Sequence, residues 1–251
     1  MEGNVTLSAE KGIGTIEFSH PQSNSLPGAV LQLLADTITK AGKDDSIKVI
    51  IISSAGDRAF CAGASFEELT SIENEEEGKA FFSGFAKVIN AARKCPKFII
   101  GRVQGKAVGG GVGIAAATDY CLATKYASVK LSELAIGIGP FVVGPAVERK
   151  MGASAFGQLT INATEWMDAE WAREKGLFNG VYDNAAAMDE AIMELAEKLA
   201  ASNPEAMAGL KSALWEGTEH WDELLMERAT MSGKLVLSEF TSNAIAKFKT
   251  I

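Results

Sequence analysis

Histidine is almost missing from this chain of 251 residues, which has two, His20 and His220. Neither stands near a nucleophile-like motif, so a Ser-His-Asp arrangement is disfavoured. Cysteine is nearly as scarce. The three, Cys61, Cys95 and Cys121, lie in or beside apolar runs without a Cys-x-x-Cys spacing. Neither a disulfide framework nor a zinc site is indicated, and a reducing, cytoplasmic compartment is expected. Basic charge is not in excess: Lys+Arg 24 against Asp+Glu 32 leaves a formal net charge of -8. That argues against nonspecific binding to nucleic acid or to an anionic membrane, since both need a basic surface. The most apolar stretch, residues 107–117, is too short and too rich in glycine to cross a bilayer and reads as a buried helix. Residues 1–11 lack the apolar block of a secretory signal. Internal repeats and low-complexity tracts are missing too, and the acidic run 73–77 reads as a solvated face.

What is present is enough apolar material for a substantial core, 47% of the residues. Short runs rich in β-branched and apolar residues predict strands at 5–7, 15–18, 49–53, 98–103 and 120–123. Between them, helical spacing predicts helices at 27–41, through Val30, Leu33, Leu34 and Ile38, and at 80–93, through Phe81, Phe85, Val88, Ile89 and Ala92. The alternation implies an α/β core. After Val181 the strand signals stop, and helices are predicted at 185–201, 204–216 and 221–249, the last broken near Gly233. The chain thus divides into a core, residues 1–183, and a helical region, 184–251.

Gly109-Gly110-Gly111 follows a predicted strand and opens an apolar helix. Such a start presents bare amide donors at the positive end of the helix dipole, which suits an anionic oxygen. A second segment, Phe60-Cys61-Ala62-Gly63-Ala64, follows another strand and can supply a further donor. Two converging amides make an oxyanion hole, a device for chemistry in which a carbonyl oxygen gains negative charge. Taken alone, the glycine run also suits close packing of a helix on a sheet.

The order and spacing of several motifs carry a resemblance. Ile13-Gly14-Thr15-Ile16 is followed by Pro21 with Asn24-Ser25-Leu26, then Ala59 to Ala64, Gly105-Lys106-Ala107-Val108-Gly109-Gly110-Gly111, and Ser132-Glu133-Leu134-Ala135-Ile136-Gly137. Ala172 and Gly176-Leu177 complete the series. Together they resemble the enoyl-CoA hydratase/isomerase, or crotonase, superfamily. The resemblance implies an α/β fold, a crotonase-like spiral of repeated β-β-α turns with a C-terminal helical trimerisation region, assembled as a homotrimer or hexamer. It implies acyl-CoA thioester substrates, coenzyme A being part of the substrate and no separate cofactor or metal being needed. The oxyanion-hole donors carried over are the backbone amides of Ala64 and Gly110. A side chain at Gly110 is expected to block the approach of the carbonyl.

Hydratases of this superfamily flank the substrate with two glutamates. The first position is Gly113 here; the second is Glu133. Glu133 lies between a short β run and an apolar, glycine-rich segment, surroundings expected to desolvate the carboxylate and raise its pKa into an acid/base range. By its local sequence alone, a loop glutamate paired with a surface cation fits equally well. Syn addition of water is best served by two carboxylates, whereas moving a double bond needs one group that removes a proton and returns it elsewhere. Isomerisation therefore ranks above hydration. Hydration by Glu133 with a backbone-held water, and a CoA-binding homologue without turnover, stay as alternatives.

For substrate binding, the candidates are Arg58 near the nucleotide, Ala62 and Gly63 along the adenine and pantetheine, Phe66 and Pro140 at the acyl group, and Gly109 and Gly113 on the glycine-led helix. Lys247 and Lys249 are weaker nucleotide candidates. Ser65, where many relatives carry aspartate, is expected to cap the helix that follows it, with Glu68 completing a capping box.

Overall fold

The computed structural model describes residues 3–248. The chain opens with a hairpin, β1 (Asn4–Glu10) and β2 (Ile13–Ser19), whose turn residues Lys11 and Gly12 both have positive φ, 50° and 83°. This is the turn geometry that matches strand twist. There follow α1 (Gly28–Lys43), β3 (Val49–Ser54), β4 (Ala59–Cys61), α2 (Phe66–Thr70), α3 (Glu75–Lys94), β5 (Ile99–Val103), β6 (Lys106–Val108) and α4 (Gly110–Ala117). Next come β7 (Tyr120–Thr124), β8 (Ser128–Lys130), a 3-10 turn (Glu133–Ile136), α5 (Gly144–Ile161), β9 (Met167–Asp168), α6 (Ala169–Glu174) and β10 (Gly180–Tyr182). Four helices close the chain: α7 (Ala185–Ala200), α8 (Pro204–Leu214), α9 (Trp221–Leu235) and α10 (Glu239–Phe248).

The strands build a spiral. In each of three successive turns the first strand, β3, β5 or β7, joins a six-stranded sheet of order β1-β2-β3-β5-β7-β10. The second strand, β4, β6 or β8, joins a four-stranded sheet of order β4-β6-β8-β9, and a helix returns the chain to the next turn. Pairing from β2 through β10 is parallel in the larger sheet. The expected fold class, an α/β spiral of β-β-α turns, is what the structure has. Strand β3 shows why such a sheet reads as a continuous apolar run: Ile50 and Ile52 enter the main core, while Val49 and Ile51 pack under Met188, Ile192 and Ala196 of α7.

Several expectations about the elements need correction. The short strands β4, β6, β8, β9 and β10 have two or three residues each, too few for a periodicity to register. One of them, β6, takes the start of the stretch expected to be a single buried helix from 107. Helix α3 begins five residues early, at Glu75, because the Asn74 side chain accepts from the Glu77 amide. Glu75, Glu76 and Glu77 of the acidic run thus form the first turn of a helix, where negative charge is favourable, and the run is exposed as expected. The last helix breaks at 236–238, after Gly233. Gly233 sits inside α9 because that helix crosses α3 at Gly78, where a methyl group on Gly78 would lie 2.7 Å from the Gly233 Cα.

The C-terminal helices pack back on the spiral. Asp119 holds α8 through Lys211 Nζ at 2.6 Å and Trp215 Nε1 at 2.7 Å, and also accepts from the Ile99 amide at 2.7 Å. Among the described residues no helix is long and apolar enough to cross a membrane.

Candidate active site

A cavity of about 480 Å³ opens where the second strands of two successive turns end. Strands β4 and β6 are neighbours in the smaller sheet, so the residues following them run side by side. A methyl group on Gly63 would lie 3.1 Å from Val108 O and 3.9 Å from Gly110 N. Ala62, Gly63 and Ala64 from the first segment and Gly109 and Gly110 from the second all border the cavity. Apolar walls come from Phe66 and Leu69 of α2, Phe81, Phe82 and Phe85 of α3, and the loop from Ile138 to Val143, which includes Pro140.

The backbone explains which amides are left bare. Ala64 forms an isolated parallel bridge with Leu26: the Leu26 N–H donates to Gly63 O at 2.8 Å and the Ser65 N–H donates to Leu26 O at 3.1 Å. Successive amides in extended chain point to opposite sides, so the Ala64 N–H faces away from Leu26 and meets no acceptor among the described residues. On the other segment the Gly109 N–H donates to Lys130 O at 2.9 Å, while Gly110 is the first residue of α4 and its N–H has no acceptor among the described residues. All eight residues of α4 are buried, so its positive end acts in a poorly screened environment. Gly109 turns the chain into this helix with φ 51° and ψ -113°, a conformation that favours glycine.

Gly110 has a further reason to be glycine, beside the approach of a carbonyl. A methyl group there would drive into the Phe85 ring, so the residue is held small by α3. Gly111 is constrained similarly, its missing methyl lying 2.6 Å from Cys61 O.

Glu133 starts the 3-10 turn, which is closed by Gly137 at φ 82° and by the Ile138 N–H donating to Glu133 O at 3.0 Å. Its carboxyl lies against the start of α4: Oε1 is 2.8 Å from where a Gly109 methyl would be. The residue is half-buried as a whole, but Oε2 is sealed from solvent and has no hydrogen-bond partner among the described residues. Desolvation raises the Glu133 pKa to about 7, offset in part by a hydrogen bond from its own backbone. No other ionisable side chain among the described residues borders the cavity. Nor do these residues contain a group of three or more His, Cys, Asp or Glu arranged to hold a metal ion. The thiols are buried, and burial pushes Cys61 up to about 12 and Cys121 to about 11, which leaves them unreactive.

Three nominated residues, Arg58, Gly113 and Lys247, stand outside this arrangement. Arg58 is exposed in the turn between β3 and β4 and does not border the cavity. Gly113 is buried and also off the cavity, because the space beside it is filled by Val143, which does border it. Lys247 is exposed on α10 and away from the cavity, and Lys249 lies outside the described residues. The expected capping box is half formed. Ser65 Oγ accepts from the Glu68 N–H at 3.3 Å, but the Glu68 carboxylate accepts from the Gly28 N–H at 2.8 Å and so caps α1.

Sequence reasoning missed Ser25, Ser132, Val143 and Ser232, all on the cavity wall. For Ser232 a signal existed. It continues the buried stripe Trp221, Leu225, Ala229 of α9, a hydroxyl at an apolar position.

Similarity to known proteins follows the same geometry. The chain is 27% identical over 247 residues to a probable enoyl-CoA hydratase of Bacillus subtilis (strain 168), covering 97% of this chain and 95% of that protein. It is 25% identical over 259 residues to the mitochondrial Delta(3,5)-Delta(2,4)-dienoyl-CoA isomerase of Mus musculus, covering 95% and 76%. The crystal structure of an enoyl-CoA hydratase from Bacillus halodurans superposes with a TM-score of 0.89 at 19% identity, covering 97% of this chain and 99% of that one, a likeness of fold. An enoyl-CoA hydratase/carnithine racemase from Magnetospirillum magneticum gives a TM-score of 0.78 at 28% identity, covering 83% and 79%. The profile of the enoyl-CoA hydratase/isomerase family matches residues 8–247, and the chain belongs to that family.

Proposed function

We propose that this protein isomerises enoyl-CoA thioesters, moving a β,γ double bond into conjugation with the thioester. The thioester carbonyl accepts hydrogen bonds from the Ala64 and Gly110 amides. The Glu133 carboxylate removes a proton from the α carbon, the charge passes to the carbonyl oxygen as a dienolate, and the protonated Glu133 returns the proton at the γ carbon. An α proton is too weakly acidic for a carboxylate unless the enolate oxygen is stabilised as it forms, and that is what two preorganised amides supply. A carboxyl with a pKa of about 7 is half ionised at neutral pH, suited both to take the proton and to give it back. The observation that carries the reading is that, among the described residues, Glu133 is the one ionisable group that borders the cavity.

Hydration is the second reading, favoured by the name of the Bacillus subtilis relative and by that of the short-chain-enoyl-CoA hydratase of Clostridium acetobutylicum, 28% identical over 248 residues. One experiment separates the two and also an inert CoA binder. A panel of β,γ-enoyl-CoA thioesters is incubated with the protein and read by liquid chromatography with mass spectrometry: isomerisation gives the conjugated isomer at unchanged mass and a new retention time, hydration adds the mass of water, and an inert binder returns the substrate unchanged. Assembly into a trimer or hexamer through the helices after residue 184 belongs to the same proposal and is read by light scattering.

A further inference from the structure

Among the described residues, three buried side-chain polar atoms lack a hydrogen-bond partner: Glu133 Oε2, Ser25 Oγ and Ser232 Oγ. All three residues border the same cavity. Glu133 has a reaction to perform, and Ser25 adjoins the Ala62–Ala64 segment, since the Ala62 N–H donates to Ser23 O and the Leu26 N–H to Gly63 O. Ser232 has neither role. It is 1% exposed and comes from a C-terminal helix.

Its surroundings follow from its helix neighbours. One turn before it, Arg228 lies 6.0 Å from the Phe141 ring; one turn after it, Val236 packs with Ile138 and Leu69. Residues four apart share a helix face, so Ser232 looks onto the wall that runs from Ile138 to Phe141. A helical serine commonly returns its hydroxyl to its own backbone, as Thr230 does two residues earlier by donating to Met226 O at 3.0 Å. Ser232 does not. Leaving a buried hydroxyl unpaired is unfavourable, so a cavity shaped only for hydrocarbon is better lined by alanine there.

We infer that Ser232 is a specificity-determining residue, its hydroxyl binding an oxygen on the acyl group of the substrate, a hydroxyl or carbonyl borne beyond the reacting carbons. The inference rests on the reading of this cavity as an acyl-CoA site. The oxygen is a neutral one. Among the described residues no Lys or Arg borders the cavity to balance a carboxylate, and Glu133 would repel it.

The test compares the protein with Ser232→Ala by calorimetric titration. The probes are medium-chain acyl-CoAs carrying a hydroxyl at successive carbons, beside the unsubstituted acyl-CoA of the same length. The expected result is that one hydroxylated isomer binds about three- to tenfold more tightly than the plain chain, and that Ser232→Ala erases that preference. The variant should also melt no lower than the parent, since it removes an unpaired group and adds a good helix former. Equal or weaker binding of every hydroxylated chain overturns the inference and leaves the acyl-CoA reading intact. A preference that survives in Ser232→Ala overturns the assignment to this residue. Failure of every CoA ester to bind overturns the acyl-CoA reading itself, and this inference with it.

Discussion

Val143 stands in the space that a side chain at Gly113 would enter: a methyl group on Gly113 would lie 2.5 Å from Val143 Cγ1 and 2.7 Å from its Cβ. The absence of a carboxylate at position 113 is therefore part of the packing of α4 against the start of α5. A single substitution at Gly113 overfills a closed wall, and Gly113→Ala should lose about 1–3 kcal/mol in chemical denaturation. Gly113→Glu combined with Val143→Gly removes the obstruction. The double variant is expected to hydrate crotonyl-CoA faster than the parent, and no gain in a spectrophotometric hydration assay would count against a wall set by this pair.

Glu133→Gln preserves the shape of the side chain and removes the base. Isomerisation should fall by about 10²–10⁴-fold with little change in the Kd for a CoA ester. In the parent, kcat/KM should rise with pH to a midpoint near 7, because the reacting form is the carboxylate and burial holds its pKa at about 7. A midpoint in the ordinary carboxylate range would show that Glu133 is not the group removing the proton.

The same burial makes stability depend on pH. The folded pKa of Glu133, about 7, lies above the ordinary 4.5, so the unfolded chain ionises first as pH rises. The carboxyl therefore destabilises the fold progressively between those two values, and the penalty is complete above the upper one. Glu133→Gln should accordingly raise Tm relative to the parent at pH 8 and make little difference at pH 4, as followed by circular dichroism. A difference that is larger at the acidic end would reverse the sign of this argument.

Asp119 and Lys211 form a buried ion pair, with side chains 4% and 3% exposed. Asp119→Ala leaves the Lys211 ammonium and the Trp215 indole N–H without their partner, so about 3–5 kcal/mol of stability should be lost in a urea titration. Lys211→Met should cost less, because Asp119 keeps the hydrogen bonds from the Ile99 amide and Trp215 Nε1.

Local information was enough for the long elements. A seven-residue strand or a sixteen-residue amphipathic helix repeats its pattern often enough to be read without its neighbours, as with β2 and α1. The order of the glycine-rich and Glu133 motifs likewise pointed to one family before any coordinates, and most of the nominated residues do border a single cavity. Strands such as β6 and β8 were not legible, because three residues become a strand only when a neighbour from another turn of the spiral supplies the ladder. Gly233 illustrates the limit from the other side. Glycine is a plausible helix stop locally, yet the close crossing at Gly78 makes it a helix interior.

By itself, then, the amino-acid order determined the family and the α/β class, and through the order of its short motifs it nominated Ala64, Gly110 and Glu133, three residues that border one cavity. Only the tertiary structure decided that Glu133 is desolvated, that Val143 fills the space beside Gly113, that Arg58 stays outside and that Ser232 comes in. Desolvation and volume are set by groups distant in the chain, and no local pattern records which of them will arrive.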